Sequence, residues 1–360
     1  AEINSFKAHT ETLVHLSYSE ALQKVATIGD NCVKTFDLST LSKGEKMELE
    51  NEFDSLELVE WTSDGQILTA GSSNGFVYSF LTSIPVIHHS CESRVIYLTS
   101  LRELCVKDVL ADTILAKFSV DIEPSFVSLG IQHAAVGMNT RVWYYRLGNG
   151  AAEFLFSKEY LSSINYVRLS DNAAAVFGGG KVALQHLEGD NEAKPEKFFP
   201  EKDDGTVITS MAMTQNFLIY ATNRGNIVYF SLEDWVIVND FRFDVGILSV
   251  FPNLLGTRIV FIDETHAAYV YSPVDDAVVN IEKFAGSADK VLWDISSNNV
   301  FVAADSKFFT TYVYSSLSTA GAKVEAIKSL NSDLLCKTDK PEGFQPILMA
   351  NGRVICQMLS

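Results

Sequence analysis

Short runs of β-branched and aromatic residues alternate with polar residues along the whole chain and are separated by turns of two to four residues. This two-residue alternation is typical of half-buried β-strands, and two such runs around a short turn predict a β-hairpin. Asn74-Gly75, for example, suits a tight hairpin because both residue types tolerate positive φ. The pattern predicts nine hairpins, at residues 22–38, 66–82, 95–109, 134–147, 174–187, 217–232, 258–273, 300–315 and 346–358.

The predicted turns recur about every 40 residues, which is the period of WD40 repeats, each forming one four-stranded blade of a propeller. No stretch carries the apolar stripe at i, i+3, i+4 and i+7 that helical repeats of similar length require. The predicted fold class is therefore all-β, a WD40-type β-propeller. Unrelated hairpins in a β-sandwich are the alternative.

Nine hairpins fit seven or eight blades of about 40 residues each, because a propeller commonly closes by combining strands from both chain ends in one blade. A single propeller over residues 1–360 is expected. The first hairpin segment, 9–38, either closes the ring with the C-terminal hairpin, 346–358, or belongs to a preceding propeller. The chain begins without methionine, so we expect a fragment of a longer protein.

The dipeptides that mark WD repeats are degenerate in this chain. Ala8-His9 stands where such repeats carry Gly-His, and Phe36-Asp37 stands where they carry Trp-Asp. Asp30 lies in the turn between them. Because buried polar groups need partners, we expect His9 and the Asp30 carboxylate to satisfy each other beside a buried Phe36 ring.

Composition and charge narrow the possible functions. Hydrophobic residues make up 47% of the chain, enough for a large core, which excludes a disordered chain. The net charge of −17 repels phosphate backbones, so no nucleic-acid binding is expected. No apolar run is long enough to span a bilayer, so no direct membrane insertion is expected. Five scattered cysteines predict reduced thiols in a cytoplasmic protein rather than a disulfide framework or a zinc ribbon.

Two acidic segments interrupt the period of the hairpins. Residues 43–60 carry seven acidic residues against two lysines, and residues 188–205 carry seven against three. Both are expected to be solvated loops, as is the connection from Ser315 to Pro346. The alternative for the acidic segments is a docking surface for a basic partner.

The chain lacks the short motifs of catalytic and nucleotide-binding sites, so no catalytic, cofactor-binding or metal-binding residue is assigned and no cofactor is expected. Residues 178–181, GGGK, lack the Ser or Thr that follows a phosphate-loop lysine and predict a hairpin turn. Residues 88–91, HHSC, form the densest set of potential metal ligands. Adjacent histidines point to opposite sides of an extended chain, so this segment is expected to be a surface loop.

The remaining polar clusters fit turns and loops. Residues 263–266, DETH, are expected to form local hydrogen bonds in a turn, and the pairs Asp275-Asp276 and Asp203-Asp204 are expected to be solvated. Four tryptophans fall inside strand patterns and are expected to pack in the core or between blades: Trp61, Trp143, Trp235 and Trp293.

Several segments resemble a known family beyond the generic repeat. They include KVATIGDNCVK at 24–34, WTSDGQIL at 61–68, RVIYLTSL at 94–101, HAAVGMNTRVWYY at 133–145 and EDWVIVNDFRF at 233–243. In this order they resemble the intraflagellar transport protein 144 family, also called the WD repeat-containing protein 19 family. The resemblance covers nearly the whole chain, from the junction of two N-terminal propellers through the second propeller.

The resemblance implies a structural role. Members of this family are core subunits of intraflagellar transport complex A, which supports retrograde transport in cilia and the passage of membrane proteins into the cilium. It implies a protein-interaction scaffold, not an enzyme, located in the cytoplasm, cilium and basal body. The implied partners are other WD-propeller and helical-repeat subunits, with ciliary membrane cargo or its adaptors as a further possibility. Alternatives are a vesicle-coat-like propeller subunit and a propeller-fold hydrolase.

Overall fold

The computed structural model describes residues 7–10, 12–37, 43–48, 55–82, 84–189, 194–201, 204–282, 284, 288, 290–316, 321–327, 337–340 and 344–358, with only the backbone for 43–48. Every regular element in these residues is a β-strand, and the strands pair antiparallel within their sheets. None of the described segments is a helix that could cross a membrane. The chain divides into two compact units, Ala1–Pro85 and Val86–Leu359. The all-β prediction is confirmed.

The first unit contains two antiparallel sheets. One consists of β1 (His15–Ser19), β2 (Lys24–Gly29), β3 (Cys32–Asp37) and β4 (Lys43–Glu48), in that order. The other consists of β5 (Leu56–Trp61), β6 (Ile67–Ser72) and β7 (Val77–Leu81). The two sheets share an apolar core that includes Ile28, Val59 and Leu68.

The second unit begins with three four-stranded sheets in which the strands follow chain order. The first sheet is β8 (His88–Cys91), β9 (Arg94–Ser100), β10 (Glu103–Asp108) and β11 (Thr113–Ser119). The second is β12 (Phe126–Leu129), β13 (His133–Met138), β14 (Arg141–Leu147) and β15 (Ala152–Glu159). The third is β16 (Tyr166–Leu169), β17 (Ala173–Gly178), β18 (Lys181–His186) and β19 (Lys197–Phe199).

Four further sheets complete the described part of the second unit. They are β20 (Ile208–Met213), β21 (Phe217–Thr222), β22 (Asn226–Ser231) and β23 (Val236–Arg242); then β24 (Ile247–Pro252), β25 (Ile259–Asp263), β26 (Ala268–Ser272) and β27 (Ala277–Asn280). The sixth is β28 (Lys290–Trp293), β29 (Val300–Ala304), β30 (Phe308–Ser315) and β31 (Lys323–Ala326), with β32 (Lys337–Asp339) also paired to β30. The seventh is the hairpin β33 (Phe344–Ala350) and β34 (Arg353–Met358).

Seven strands of the second unit form a closed inner ring. They are β8, β12, β16, β20, β24, β28 and β33. Each of these strands contacts the next one in this order, and β33 contacts β8. Where the ring closes, Val95 of β9 packs against Ile347 and Leu348 of β33 in an apolar cluster. Within the described residues the second unit is thus a seven-bladed propeller, one of the two predicted blade numbers.

Burial explains why the hairpins are prominent in the sequence. The middle strands of a blade are covered on both faces by neighbouring blades, so both faces are apolar; every position of β17 is buried, for example. Inner and outer strands are shorter or only half buried. All nine predicted hairpins are present, and the first and last lie in different sheets.

The three predicted loops are partly wrong. The segment 43–60 contains β4 and most of β5, the segment 188–205 contains β19, and the connection from Ser315 to Pro346 contains β31 and β32. Acidic and polar composition suggested solvated loops, but β4, β19, β31 and β32 are outer strands, and outer strands of a propeller pair by their backbone and expose much of their side-chain surface. In β5 the acidic residues alternate with the buried Leu56 and Val59. Residues 49–54, 190–193, 202–203, 317–320, 328–336 and 341–343 lie outside the described residues.

One turn shows how glycine sets the backbone of a hairpin. Gly225, between β21 and β22, has a φ of +84°, and a Cβ at this position would lie 2.5 Å from the carbonyl oxygen of Phe243. Its amide instead donates a hydrogen bond to Thr222, and Phe243 donates to the Gly225 carbonyl. The turn therefore depends on glycine both for its conformation and for this close approach.

Candidate functional site

His9 lies beside Asp30 at the first hairpin. His9 Nε2 lies 2.9 Å from Thr27 Oγ1, and Nδ1 lies 3.5 Å from Asp30 Oδ2. Asp30 also accepts the backbone N–H of Thr10 at 2.7 Å, and Phe36 is buried. Burial is the main cause that lowers the pKa of His9, so the imidazole is largely neutral at pH 7. The two residues lie together beside Phe36 as predicted, but they do not satisfy each other: among the described residues His9 Nδ1 has no hydrogen-bond partner, and the hydrogen bond of the imidazole goes to Thr27.

A cavity of about 750 Å³ lies inside the inner ring of the second unit. This is the central channel of the propeller, and its volume is in the range of ligand-binding pockets. All seven inner strands contribute to its wall, through residues that include His89, Val127, Arg168, Met211, Phe251, Trp293 and Ile347. It is therefore the candidate functional site of this unit.

Polar side chains join each blade of the second unit to the next. At every junction, a side chain on or beside one inner strand hydrogen-bonds to the backbone of the neighbouring blade, which satisfies backbone groups at the free edges of these strands. The pairs are Ser90 with Ile347, His89 with Leu129, His133 with Asp171, Tyr166 with Met211, Ser210 with Val250, Trp293 with Phe251, and Lys290 with Pro346.

Two cations line the channel without a carboxylate partner among the described residues: Arg168 and Lys290. The Arg168 guanidinium stacks 4.4 Å from the ring centre of Tyr166 and donates to the Val167 carbonyl at 2.9 Å. Lys290 Nζ donates to the Pro346 carbonyl at 2.5 Å. Burial, followed by repulsion from Arg168, lowers the pKa of Lys290 to about 8, and burial lowers the pKa of Arg168. A pKa of about 8 leaves Lys290 predominantly charged at pH 7, and a guanidinium stays protonated in proteins.

His88 and His89 lie on β8 at the wall of the channel, which corrects the prediction of a surface loop. The predicted alternation is confirmed, since the two rings contact opposite neighbours. His88 Nδ1–H donates to Gln357 Oε1 at 2.9 Å, whereas His89 Nδ1 accepts the backbone N–H of Leu129 at 3.1 Å. Burial is the main cause that lowers the pKa of His88 to about 4 and that of His89 well below its usual value. Both imidazoles are neutral at pH 7.

Among the described residues, no group of three or more His, Cys, Asp or Glu side chains is placed to hold a metal ion. Burial raises the pKa of the Cys91 thiol to about 11, so it is not a thiolate beside the two histidines. None of the four described cysteines forms a disulfide: Cys32, Cys91, Cys105 and Cys356. Cys336 lies outside the described residues.

The polar turns behave as predicted. Asp263 Oδ1 accepts the backbone N–H of Thr265 at 2.8 Å and of Ala267 at 3.0 Å, which closes the turn after β25. Residues 178–181 form the turn between β17 and β18. Asp204 accepts the Thr206 hydroxyl at 2.6 Å and pairs with Arg224 at 3.2 Å, while Asp203 lies outside the described residues.

The tryptophans divide into buried and half-buried groups. Trp235 and Trp293 are buried, as predicted, but Trp235 lies in the turn between β22 and β23 rather than in a strand. Trp61 and Trp143 are only half buried. Trp143 therefore contributes less to the core than its place in an apolar strand suggests, because its strand, β14, alternates buried and accessible positions.

The ring of antiparallel sheets around a channel defines the second unit as a β-propeller. Residues 95–360 match the family model of the WDR19 second beta-propeller, and residues 1–75 match that of the WDR19 first beta-propeller. The chain belongs to the WDR19 beta-propeller family. The family resemblance predicted from the sequence is confirmed.

Full-length relatives extend well beyond this chain. It is 39% identical to human WD repeat-containing protein 19, covering 100% of this chain and 27% of that protein. It is 29% identical to WD repeat-containing protein dyf-2 of Caenorhabditis elegans, covering 99% of this chain and 27% of that protein. Among solved structures, Hsv2 of Kluyveromyces lactis has a TM-score of 0.48 at 10% identity, covering 88% of this chain and 98% of that one, a likeness too weak to carry an argument.

Proposed function

We propose that the chain is part of a non-catalytic protein-interaction scaffold of intraflagellar transport complex A, supporting retrograde transport in cilia and the passage of membrane proteins into the cilium. The observation that carries this proposal is the match of two successive stretches to the two propeller models of one family. The proposed locations are the cytoplasm, the cilium and the basal body. The proposed partners are other WD-propeller and helical-repeat subunits and, further, ciliary membrane cargo or its adaptors.

We further propose that the two compact units belong to two successive propellers, so that the first hairpin is part of a preceding propeller. The division near Pro85 agrees with the gap between the two family matches, which fall at residues 1–75 and 95–360. The complete first propeller then requires strands from outside this chain, whereas the inner ring of the second is already closed.

A scaffold of this kind binds through its loop-lined faces and its rim. The net charge of −17 favours partners with basic patches, and contacts with them should weaken as the salt concentration rises. Part of the acidic segment 188–205 is already engaged within the fold, because Glu188 pairs with Arg146 and Glu196 pairs with Lys158. Whether the remaining acidic residues dock a partner stays a prediction.

Co-purification from ciliated cells tests the scaffold role. The full-length protein is compared with one lacking residues 86–359 and with one in which an unrelated seven-bladed propeller replaces them. The replacement preserves length and spacing but removes the specific surface. We expect both altered proteins to lose complex A subunits and to slow tip-to-base traffic. Intact complex and normal traffic with the unrelated propeller would refute a specific binding role.

A further inference from the structure

The central channel of the second unit concentrates positive charge in a strongly acidic protein. The charged side chains Arg168 and Lys290 line its wall, together with the neutral His88 and His89. Arg168, Lys290 and His89 line the same cavity, and the charges of the two cations contribute to lowering the pKa of His89. The overall charge of −17 repels anions at long range, but a local cluster of this kind attracts them once they are inside.

Both cations keep most of their hydrogen-bonding capacity unused. A guanidinium has five N–H donors and an ammonium has three. Among the described residues, Arg168 donates to one carbonyl, that of Val167, and Lys290 donates to one carbonyl, that of Pro346. Leaving a charge partly desolvated without a counter-ion is unfavourable, so such an arrangement persists where something compensates it.

The carboxylates of the channel wall do not supply this compensation. Glu92 and Asp171 line the channel, but they follow the last residues of β8 and β16. Among the described residues neither forms an ion pair with Arg168 or Lys290, whereas both contribute to raising the pKa of the Cys91 thiol. The two cations therefore face the channel without a described acidic neighbour.

We propose that the central channel of the second unit binds a phosphate group, with Arg168 and Lys290 as its anchoring cations. A guanidinium and an ammonium together present the forked and the point-like donors that phosphate oxygens accept. In neutral His89, Nδ1 accepts the Leu129 N–H, so Nε2 carries the proton and is available as a third donor. The volume of about 750 Å³ accommodates a small phosphorylated molecule as well as free phosphate.

This proposal is independent of the scaffold role. A channel variant that loses phosphate binding but still co-purifies with complex A subunits would leave the scaffold proposal intact. Conversely, a protein that fails to join the complex can still bind phosphate in its channel.

Isothermal titration of the 360-residue chain at pH 7 and constant ionic strength tests the proposal with two probes, inorganic phosphate and inositol hexakisphosphate. We expect saturable binding at one site. Each of the substitutions Arg168→Met and Lys290→Met should weaken the affinity for the probes about tenfold or more, because each removes charge-assisted hydrogen bonds. Similar affinity for both probes indicates a free-phosphate site, and tighter binding of the ester indicates a phosphorylated small molecule.

Two matched controls separate channel cations from cations elsewhere. Arg258 stacks 4.3 Å from the ring centre of Tyr314, as Arg168 does on Tyr166, but does not line the channel. Lys194 donates to the Leu232 carbonyl at 3.0 Å, as Lys290 does to Pro346, and is also outside the channel. Arg258→Met and Lys194→Met should leave the affinity unchanged. Equal weakening by these controls, or no saturable binding of either probe, would overturn the proposal.

Thermal unfolding separates the loss of the binding site from a loss of the fold. Phosphate should raise the melting temperature of the unchanged protein but not that of Lys290→Met. Without phosphate, Lys290→Met should unfold at or slightly below the melting temperature of the parent, because the lost bond to the Pro346 carbonyl is offset by the removal of a half-buried cation. A lower melting temperature in Lys290→Met, together with an undiminished phosphate effect, would show that the lysine serves only to hold Pro346.

Discussion

His88 Nδ1 and Gln357 Oε1 are separated by 269 positions in the sequence and by 2.9 Å in the structure. They join β8, the first strand of the inner ring, to β34 of the last described hairpin. The Ser90 hydroxyl donates to the Ile347 carbonyl beside them, across the same junction. Side-chain hydrogen bonds and an apolar cluster thus hold the two ends of the second unit together.

Replacement of Asp294, at the junction between the sixth and seventh blades, should strongly lower the stability of the protein. This buried carboxylate accepts backbone N–H groups from Ser296 at 2.8 Å, from Asn351 at 3.0 Å and from Gly352 at 2.6 Å. Asp294→Ala should lower the free energy of unfolding by about 2–4 kcal/mol, because three donors lose their acceptor. Urea denaturation followed by fluorescence measures the change.

Asp305 provides the control for this prediction. It is also buried, but among the described residues its carboxylate accepts only the Lys307 and Phe308 N–H groups of its own turn. Asp305→Ala should therefore be less destabilising than Asp294→Ala. Equal losses would mean that the bonds between the sixth and seventh blades add nothing beyond local turn stability.

The two strand tryptophans of the second unit should respond differently to truncation. Trp293 is 7% exposed, and its indole N–H donates to the Phe251 carbonyl at 2.8 Å. Trp293→Ala should cost about 3–5 kcal/mol, the usual range for a buried aromatic ring. Trp143→Ala should cost less, since Trp143 is half buried. Chemical denaturation of both variants checks this order, and a larger loss at Trp143 would contradict it.

Glu188, which follows β18, forms hydrogen bonds with side chains on β13 and β14. It accepts hydrogen bonds from Arg146 Nε at 2.8 Å and from His133 Nε2 at 2.6 Å, and the Arg146 contact is the first cause that lowers its pKa to about 2. Glu188→Gln should cost about 1–3 kcal/mol at pH 7, because the buried His133 loses a charged acceptor. Glu153→Gln removes only an exposed partner of Arg146, at 3.5 Å, and should be nearly neutral. Urea denaturation at pH 7 compares the two variants, and equal losses would contradict this order.

Acid should destabilise the protein through its buried histidines. Burial lowers the pKa of His88 from 6.5 to about 4, with the Lys290 charge as a second cause. The unfolded chain therefore binds a proton before the folded chain does, and stability falls as the pH drops from about 7 to 4. His88 alone accounts for a loss of up to about 3 kcal/mol over this range.

Replacement of this histidine tests the assignment. His88→Asn keeps an amide donor toward Gln357 but does not titrate, so its stability should depend less on pH between 7 and 4. A matched change of the exposed His266 to Gln should leave the pH dependence as it is. If urea midpoints across this range show the same slope for His88→Asn as for the parent, the burial of His88 does not govern the acid response.

Much of the architecture follows from local sequence pattern, and the exceptions have a physical cause. Middle strands such as β17 are covered on both faces, so their composition alone marks them. The inner strand β8 has the sequence HHSC, which resembles a loop because its polar side chains bind backbone and side-chain groups in neighbouring blades. Local periodicity contains no information about those distant partners.

The channel cations could not be predicted for the same reason. Arg168 occupies an ordinary position in the alternating segment YVRL, and Lys290 begins the strand KVLW. Each is compatible with a solvated strand position until the ring places both against one cavity. His9 and Asp30, in contrast, were predictable because the spacing of the repeat itself brings them together.

The junction between β33 and β8 has a mechanical consequence. Among the described residues no ladder of backbone hydrogen bonds spans two neighbouring blades, but at every other junction the chain runs directly from one blade into the next, whereas β33 and β8 belong to the last and the first blade. A force that separates their side-chain contacts, such as the His88–Gln357 bond, meets resistance from only a few bonds and one apolar cluster. Under tension the ring of blades should therefore open first at the junction between β33 and β8, while the sheet of each blade stays intact.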